Sequence, residues 1–244
     1  MGAWSPGYLQ LLANLPNVGI LWTSSGGEMD MEPVEVKYLT DLLLDPRVSF
    51  IWSGDRSLGQ VHSEKGFYAP YPLSPDLEIP RVEKRDAIAL FNPGGLKKNN
   101  LNQLLAVKIF QRNNPGWLLE TNLGAYQGQM DLLGVKYQLH PWLPRDQYHR
   151  LLASCRVNLA VSWAETLNYQ VAEAGLLEVS SVVSRTVPLP GFRVHDPNSP
   201  IEIADRLFYA IRHQASMDIR RRVEAVALRN NQLLKDGLRN RNLL

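Results

Sequence analysis

Two glutamates, Glu165 and Glu173, stand eight residues apart in the segment Ser162-Trp163-Ala164-Glu165-Thr166-Leu167-Asn168-Tyr169-Gln170-Val171-Ala172-Glu173-Ala174-Gly175, directly after the apolar run Val157 to Val161. On one continuous helix that spacing separates the carboxylates by roughly 12 Å and about 80° of rotation, too far for both to act on a single bond. A pair so placed brackets one extended ligand. Ser162 and Glu165 also match a capping box, whose hydroxyl and carboxylate satisfy the free N–H groups at a helix start. Glu173 reads equally as a helix-surface charge, so residue types alone leave both readings open.

A second chemical feature lies upstream. Phe91-Asn92-Pro93-Gly94-Gly95-Leu96-Lys97-Lys98-Asn99 closes the apolar run Ala87 to Phe91 and precedes a helical pattern. Gly94 and Gly95 permit close backbone approach, a helix N-terminus offers N–H groups and a positive dipole end, and a lysine ammonium neutralises phosphate. The Walker spacing of Gly, Lys and Ser/Thr is absent. A tight strand-to-helix turn with solvated lysines accounts for the same letters.

Apolar patterning indicates the elements that must position these residues. Val18 to Trp22 and Val48 to Trp52 read as buried strands, each ended by turn residues, with Val36, Tyr38, Leu39, Leu42 and Leu43 at helical spacing between them. Phe67 to Pro70 supplies a third strand. Prolines 70, 72, 75 and 80, followed by the mostly charged Val82 to Asp86, read as a linker. Beyond it, strands are expected at Ala87 to Phe91, Trp117 to Glu120, Val135 to Leu139, Val157 to Val161 and Ser180 to Ser184. Helices are expected over 99–111, about 146–155, about 165–176, 201–213 and 217–235. Such alternation predicts an α/β protein of two doubly wound, Rossmann-like parallel sheets, with ligands bound at the carboxyl edges of the strands across an interdomain cleft. The division expected is 1–82, a shortened N-terminal domain with a Pro-rich hinge, then 83–213, and a C-terminal basic helix over 214–244.

In this order the strand, the basic loop and the late strand ending in Ser with its two glutamates resemble the nucleotide-sugar-binding half of GT-B glycosyltransferases, especially retaining family 4. The resemblance covers roughly residues 87 to 213. It extends to Leu143-Pro144, to Leu151 through Ser162 and to His195-Asp196-Pro197-Asn198. It implies a GT-B fold and transfer of a sugar from a UDP- or GDP-sugar donor to an acceptor, with retention at the anomeric carbon and without a metal or other cofactor. Glu165 would face the donor sugar hydroxyls and Glu173 the ribose hydroxyls, and N–H groups of Thr166, Leu167 and Asn168 would meet the phosphates. Lys98, or Lys97 if the register slips by one, would balance the departing diphosphate, making Glu165 and Lys98 the catalytic pair. Asn92 and Gly94 would line the donor loop, and the loop at His140 would lie near the nucleobase.

Some positions depart from the family pattern. Thr166-Leu167-Asn168 replaces the usual Gly-Phe-Gly, and Asn92 or Pro93 stands where an arginine is common. About 82 residues precede the second half, fewer than a complete acceptor domain has. Thr23, Ser24, Ser25 and Glu28 follow the first strand and would face the acceptor, or form a plain polar turn. Thr23 stands where related sequences place a histidine.

Composition excludes other classes. With 244 residues, 45% hydrophobic and 20% charged, the chain is an ordinary globular one, neither disordered, collagenous nor a coiled coil. The five histidines show no zinc-ligand spacing, and one cysteine gives neither a disulfide nor a cysteine metal site. No Asp-x-Asp appears. A lone thiol, and the lack of a signal peptide or membrane-length apolar run, predict a cytoplasmic protein. From Ile219 onward, seven Arg or Lys face only Glu224 and Asp236. Arg220, Arg221 and Arg222 read either as a helix face or as phosphate contacts, without a strong nucleic-acid or membrane signal. Two alternatives to transfer are a non-catalytic or incomplete nucleotide-sugar-binding protein that needs a partner, and a nucleotide-sugar epimerase.

Overall fold

A computed structural model describes residues 18–22, 41, 44–53, 65–91, 96–163, 165, 167–213 and 218–240. The chain divides into two compact units, Met1–Leu73 with Leu228–Leu244, and Ser74–Ala227.

The first unit carries three parallel strands, β1 (Val18–Trp22), β2 (Val48–Ser53) and β3 (Gly66–Tyr68), in that spatial order. Ile20 pairs with Ile51, and Trp52 with Phe67. β3 stops earlier than the expected Pro70 because Pro has no N–H to give a ladder, and the Trp52 indole N–H takes the Ala69 carbonyl at 2.7 Å. The helix expected over residues 36–43 lies outside the described residues apart from Asp41. Further along, the Asn231 side chain pairs with both backbone groups of Leu73, donating to its carbonyl at 2.8 Å and accepting its N–H at 3.1 Å. The Asn230 amide donates to the Tyr71 carbonyl at 3.1 Å. These amides give the Pro-rich backbone the partners that a strand neighbour would otherwise supply.

The second unit is a six-stranded parallel sheet. Its strands are β4 (Arg85–Leu90), β5 (Leu118–Thr121), β6 (Tyr137–Leu139), β7 (Cys155–Ala160), β8 (Ser180–Ser184) and β9 (Phe192–Val194), ordered β6-β5-β4-β7-β8-β9. Its helices are α1 (Asn100–Asn113), α2 (Gln127–Leu133), α3 (Arg145–Ser154), α4 (Tyr169–Leu176) and α5 (Pro200–Arg212), and α6 (Ile219–Arg239) belongs to this unit as far as Ala227 and to the first unit from Leu228. Strands buried on both faces must be apolar on both, and β4 shows why. Ile88 and Leu90 pack with Leu104, Val107 and Phe110 of α1 and Leu207 of α5, whereas Ala87, Ala89 and Phe91 pack with Leu152 and Ala153 of α3 and Ala174 of α4. Cys155 belongs to the second cluster, and burial pushes its thiol up to about 12. β9 and α2 are additional to the elements expected from the sequence.

At the end of the sheet, Ser199 caps α5 by accepting the Glu202 N–H at 3.2 Å. The Glu202 carboxylate accepts the N–H groups of His195 and Asp196 at 2.7 and 2.9 Å, fixing the segment His195 to Asn198. In the basic stretch, the Arg220 guanidinium bonds Glu224 at 2.8 Å and the carbonyls of Leu176 and Leu77 at 2.9 and 3.2 Å. Arg220 is thus used for packing, and Arg221 and Arg222 lie on the exposed face of α6. Among the described residues, no helix is long and apolar enough to cross a membrane.

Candidate functional site

The sheet order reverses between β4 and β7, so the chains leaving these neighbouring strands diverge and open a crevice at their carboxyl ends. Ligands of doubly wound sheets bind there. Lys98 and Glu165 arrive at this point from opposite sides. Beyond β4, the turn Leu96–Lys98 leads through Asn99, left-handed at φ 55°, into α1. Beyond β7, the chain passes Ser162 and Trp163 to Glu165 before α4 begins. Lys98 Nζ lies 2.7 Å from Glu165 Oε2, with 18% and 10% of the two side chains exposed.

Backbone bonds hold the two loops together. The buried Gln103 of α1 donates to the Lys98 carbonyl at 2.8 Å and accepts the Val161 N–H at 2.8 Å. The Trp163 N–H donates to the Lys97 carbonyl at 2.9 Å. A third loop joins them: Asn99 Nδ2 donates to the Pro197 carbonyl at 2.6 Å, and the Trp163 indole N–H to Asn198 Oδ1 at 2.8 Å. Gln170 of α4, with its amide oriented so that both atoms are satisfied, bonds the Phe91 N–H and carbonyl at the end of β4. Among the described residues, the buried Ser162 hydroxyl has no hydrogen-bond partner.

One expectation needs correction. α4 starts at Tyr169, not near Glu165, and its cap is Asn168, whose Oδ1 accepts the Val171 N–H at 3.2 Å. Asn is among the strongest N-caps, and here it takes the role that the Ser162-to-Glu165 box suggested. Glu165 is therefore free of capping and turns to Lys98, with Asn168 Nδ2 at 3.4 Å from the same oxygen. Leu167 and Asn168 precede the first turn of the helix, and the separation of about 12 Å for a continuous helix does not apply. Asn92, Gly94 and Thr166, like Thr23, Ser24, Ser25 and Glu28, lie outside the described residues.

Glu173, on α4, borders a cavity of about 300 Å³ whose walls include Phe91, Asn122, Trp142, Leu143 and Tyr148. His149 Nε2 lies 3.3 Å from Glu173 Oε1. Burial, and then the negative charge of the nearby Glu173 carboxylate, push the Tyr148 phenol far above its usual range. Tyr148 therefore stays protonated and remains a donor. Phe91 meets the Tyr148 ring edge-on at 5.4 Å. His140 sits one residue before the cavity wall, and its Nε2 is 2.5 Å from Oε2 of the buried Glu120, whose other oxygen meets Arg85 at 2.9 Å. His140 anchors the loop while Pro141, Trp142 and Leu143 line the space. The sequence gives Glu120, Gln103 and Tyr148 no motif. The one usable signal is a single carboxylate, Glu120, closing the apolar run from Trp117. Among the described residues, no group of three or more His, Cys, Asp or Glu could hold a metal ion.

A parallel sheet of this order, with its crevice between β4 and β7, is a Rossmann-like doubly wound sheet, and solved structures of the GT-B fold class match nearly the whole chain. Trehalose-6-phosphate synthase OtsA matches with a TM-score of 0.68 at 13% identity, over 98% of this chain and 69% of its own. The UDP-forming α,α-trehalose-phosphate synthase from Burkholderia vietnamiensis gives 0.68 and 13% over 98% and 71%. An E. coli trehalose-6-phosphate structure bound with UDP-2-fluoro glucose gives 0.67 and 13% over 98% and 70%. No protein-family profile and no curated protein sequence matches the chain. At this identity the likeness establishes the fold.

Proposed function

We propose that the chain is a retaining glycosyltransferase that takes a UDP-sugar donor without a metal ion. The observation that carries this reading is the meeting of Lys98 and Glu165 at 2.7 Å at the sheet's reversal point, on the same sheet edge as the cavity beside Glu173. A carboxylate is a pure acceptor and suits paired hydroxyls. Glu173 accepts the ribose hydroxyls, and the aromatic walls of the cavity take the base. Lys98 faces the diphosphate, and Glu165 orients that lysine and accepts a hydroxyl of the donor sugar. Departure of the diphosphate and attack by the acceptor take place on one face of the sugar, as the resemblance to retaining family 4 implies, so no protein nucleophile is required. Catalysis comes from positioning and from the positive charge at the leaving group. The preference for UDP over GDP draws on the UDP-forming and UDP-2-fluoro-glucose-bound structures of like fold.

Calorimetric titration with UDP, GDP and their sugars in EDTA, on the wild type, Lys98→Met and Glu173→Ala, tests the donor assignment. The expected outcome is UDP binding that both substitutions weaken at least tenfold. Binding that is indifferent to both contradicts it. Incubation with UDP-sugars separates the alternatives: a changed sugar without nucleotide release marks an epimerase, and binding without turnover a non-catalytic protein.

A further inference from the structure

Asn122 stands immediately beyond β5, and the register that pairs Leu90 with Thr121 sets it beside Phe91 at the carboxyl edge of the sheet. An asparagine at such a place ordinarily spends its amide on the local backbone, in an Asx turn or a cap. Here the backbone has other partners. The Leu123 N–H donates to Thr121 Oγ1 at 3.2 Å, and the Gly124 N–H to the Asn122 carbonyl itself at 2.9 Å. The short turn that follows, Gly124–Tyr126, begins with no side-chain cap. Among the described residues, Asn122 Oδ1 is buried with no hydrogen-bond partner. Buried oxygens are nearly always paired, because an unmet acceptor forfeits its hydration. Asn122 also lines the cavity beside Glu173. No side-chain hydrogen bond among the described residues holds its amide, and χ2 of asparagine is a broad torsion, so the oxygen is free to turn to a donor that enters.

Of the other side chains around the cavity, Arg145 only donates, and Phe91, Trp142 and Leu143 carry no acceptor. Tyr148 belongs to the Glu173 side: it lies on α3, whose next residue, His149, meets that carboxylate at 3.3 Å. Glu173 comes from α4, which packs against β7 and β8, whereas Asn122 follows β5. Phe91, at the end of the intervening β4, therefore lies between the two. A nucleoside whose ribose hydroxyls meet Glu173 extends its base past Phe91 towards Asn122. The cavity, at about 300 Å³, is at the small end of ligand sites, which suits a one-ring base. We propose that Asn122 reads the nucleobase: Oδ1 accepts the N3–H of uracil while Nδ2 donates to an adjacent ring carbonyl. This rests on the assignment of the cavity to a UDP-sugar made above, and it gives that preference a residue in this chain.

The probes are UDP and N3-methyl-UDP, which lacks the ring N–H, titrated calorimetrically into wild type, Asn122→Ala, Asn122→Asp and Lys98→Met. Wild type is expected to bind UDP about tenfold more tightly than the methylated form. In Asn122→Ala, UDP affinity is expected to fall about tenfold while N3-methyl-UDP, with the amide gone, binds at least as well as to wild type, so that the ratio collapses. Asn122→Asp keeps an acceptor oxygen and is expected to keep the preference. Thermal melts of the unliganded proteins give an independent readout: Asn122→Ala removes an amide that bonds nothing and should shift Tm by less than about 2 °C. A larger fall in Tm, with both nucleotides weakened alike, would make Asn122 a structural residue and overturn the proposal. So would a wild type that binds the two probes equally, or a preference that survives Asn122→Ala. If Lys98→Met weakens UDP binding while the Asn122 variants change nothing, the donor assignment stands and this proposal alone fails; if the wild type binds no UDP, both fall.

Discussion

Replacing Lys98 by Met removes the ammonium but keeps most of the aliphatic stem, which makes the Lys98–Glu165 pair accessible to a double-mutant cycle with Glu165→Gln. At 2.7 Å, two unit charges attract by roughly 6 kcal/mol at an effective dielectric of 20 and by about 1.5 kcal/mol in water. Desolvation offsets much of the larger figure. Breaking a fully buried pair from one side costs about 3–5 kcal/mol, because the abandoned charge stays in the protein. With 18% and 10% of the side chains exposed, water relieves part of that, and each single substitution is expected to cost about 2–4 kcal/mol. Lys98→Met/Glu165→Gln leaves no unpaired charge and should cost about 1 kcal/mol, a coupling of about 3 kcal/mol or more. For a unit of this size, the singles translate into losses of roughly 5–12 °C in Tm. Urea and calorimetric unfolding of the four proteins read the cycle, and both singles should recover little in high salt because the pair is mostly shielded. If the single effects add to within about 0.5 kcal/mol of the double, the two groups do not act on each other, and the reasoning that links them across the crevice is wrong.

Other expectations follow from individual residues. Gln103→Leu strands the Val161 N–H and the Lys98 carbonyl and should cost about 2–3 kcal/mol in urea unfolding, with weakened donor binding; a neutral substitution would mean that the loops hold themselves. Cys155, with its thiol pushed up to about 12 by burial, should resist a thiol reagent at pH 8 until the protein unfolds, and prompt labelling of the native protein would contradict that. Asp45 is held at about 2 by the Arg47 guanidinium, which bonds it, and by the Arg47 N–H. Because this folded value lies below the ordinary 3.8, its contribution to stability is present above about pH 4 and is lost as pH falls through 2. A carboxyl carbon titration by NMR should place the midpoint near 2, and Arg47→Ala should return it towards the ordinary range; a midpoint near 3.8 in the wild type would refute the pairing.

β4 and β7 were legible because parallel strands covered on both sides are apolar over most of their length: Ala87 to Leu90 is apolar throughout, and Val157 to Ala160 is broken only by Asn158, whose buried amide donates to the Ser181 hydroxyl at 2.9 Å. The helix after β7 was legible in its existence but not in its start. Ser162 and Glu165 carry the letters of a capping box, yet Asn168 stands immediately before the periodic Val171, Ala172 and Leu176, and its local bond to Val171 N wins. Short elements such as α2 and β9, of seven and three residues, hold too few apolar positions to display a period. Lys97, Lys98, Glu165 and Glu173 stood out by type and spacing. Their supports did not: Glu120 and His140 are twenty residues apart in sequence, Gln103 and Val161 fifty-eight, and only the sheet order brings such pairs together. Tyr148 was hidden for the same reason, since nothing in α3 marks which residue faces the helix that carries Glu173.

The most direct measurement is nucleoside diphosphate release from a panel of nucleotide sugars in EDTA, with mixed sugar acceptors, by wild type and Lys98→Met. The expected result is release from one UDP-sugar, a product of retained anomeric configuration by NMR, and a fall of about 10²- to 10³-fold in Lys98→Met as the charge facing the diphosphate is lost. Release that is unchanged in Lys98→Met, or a product of inverted configuration, would contradict the account.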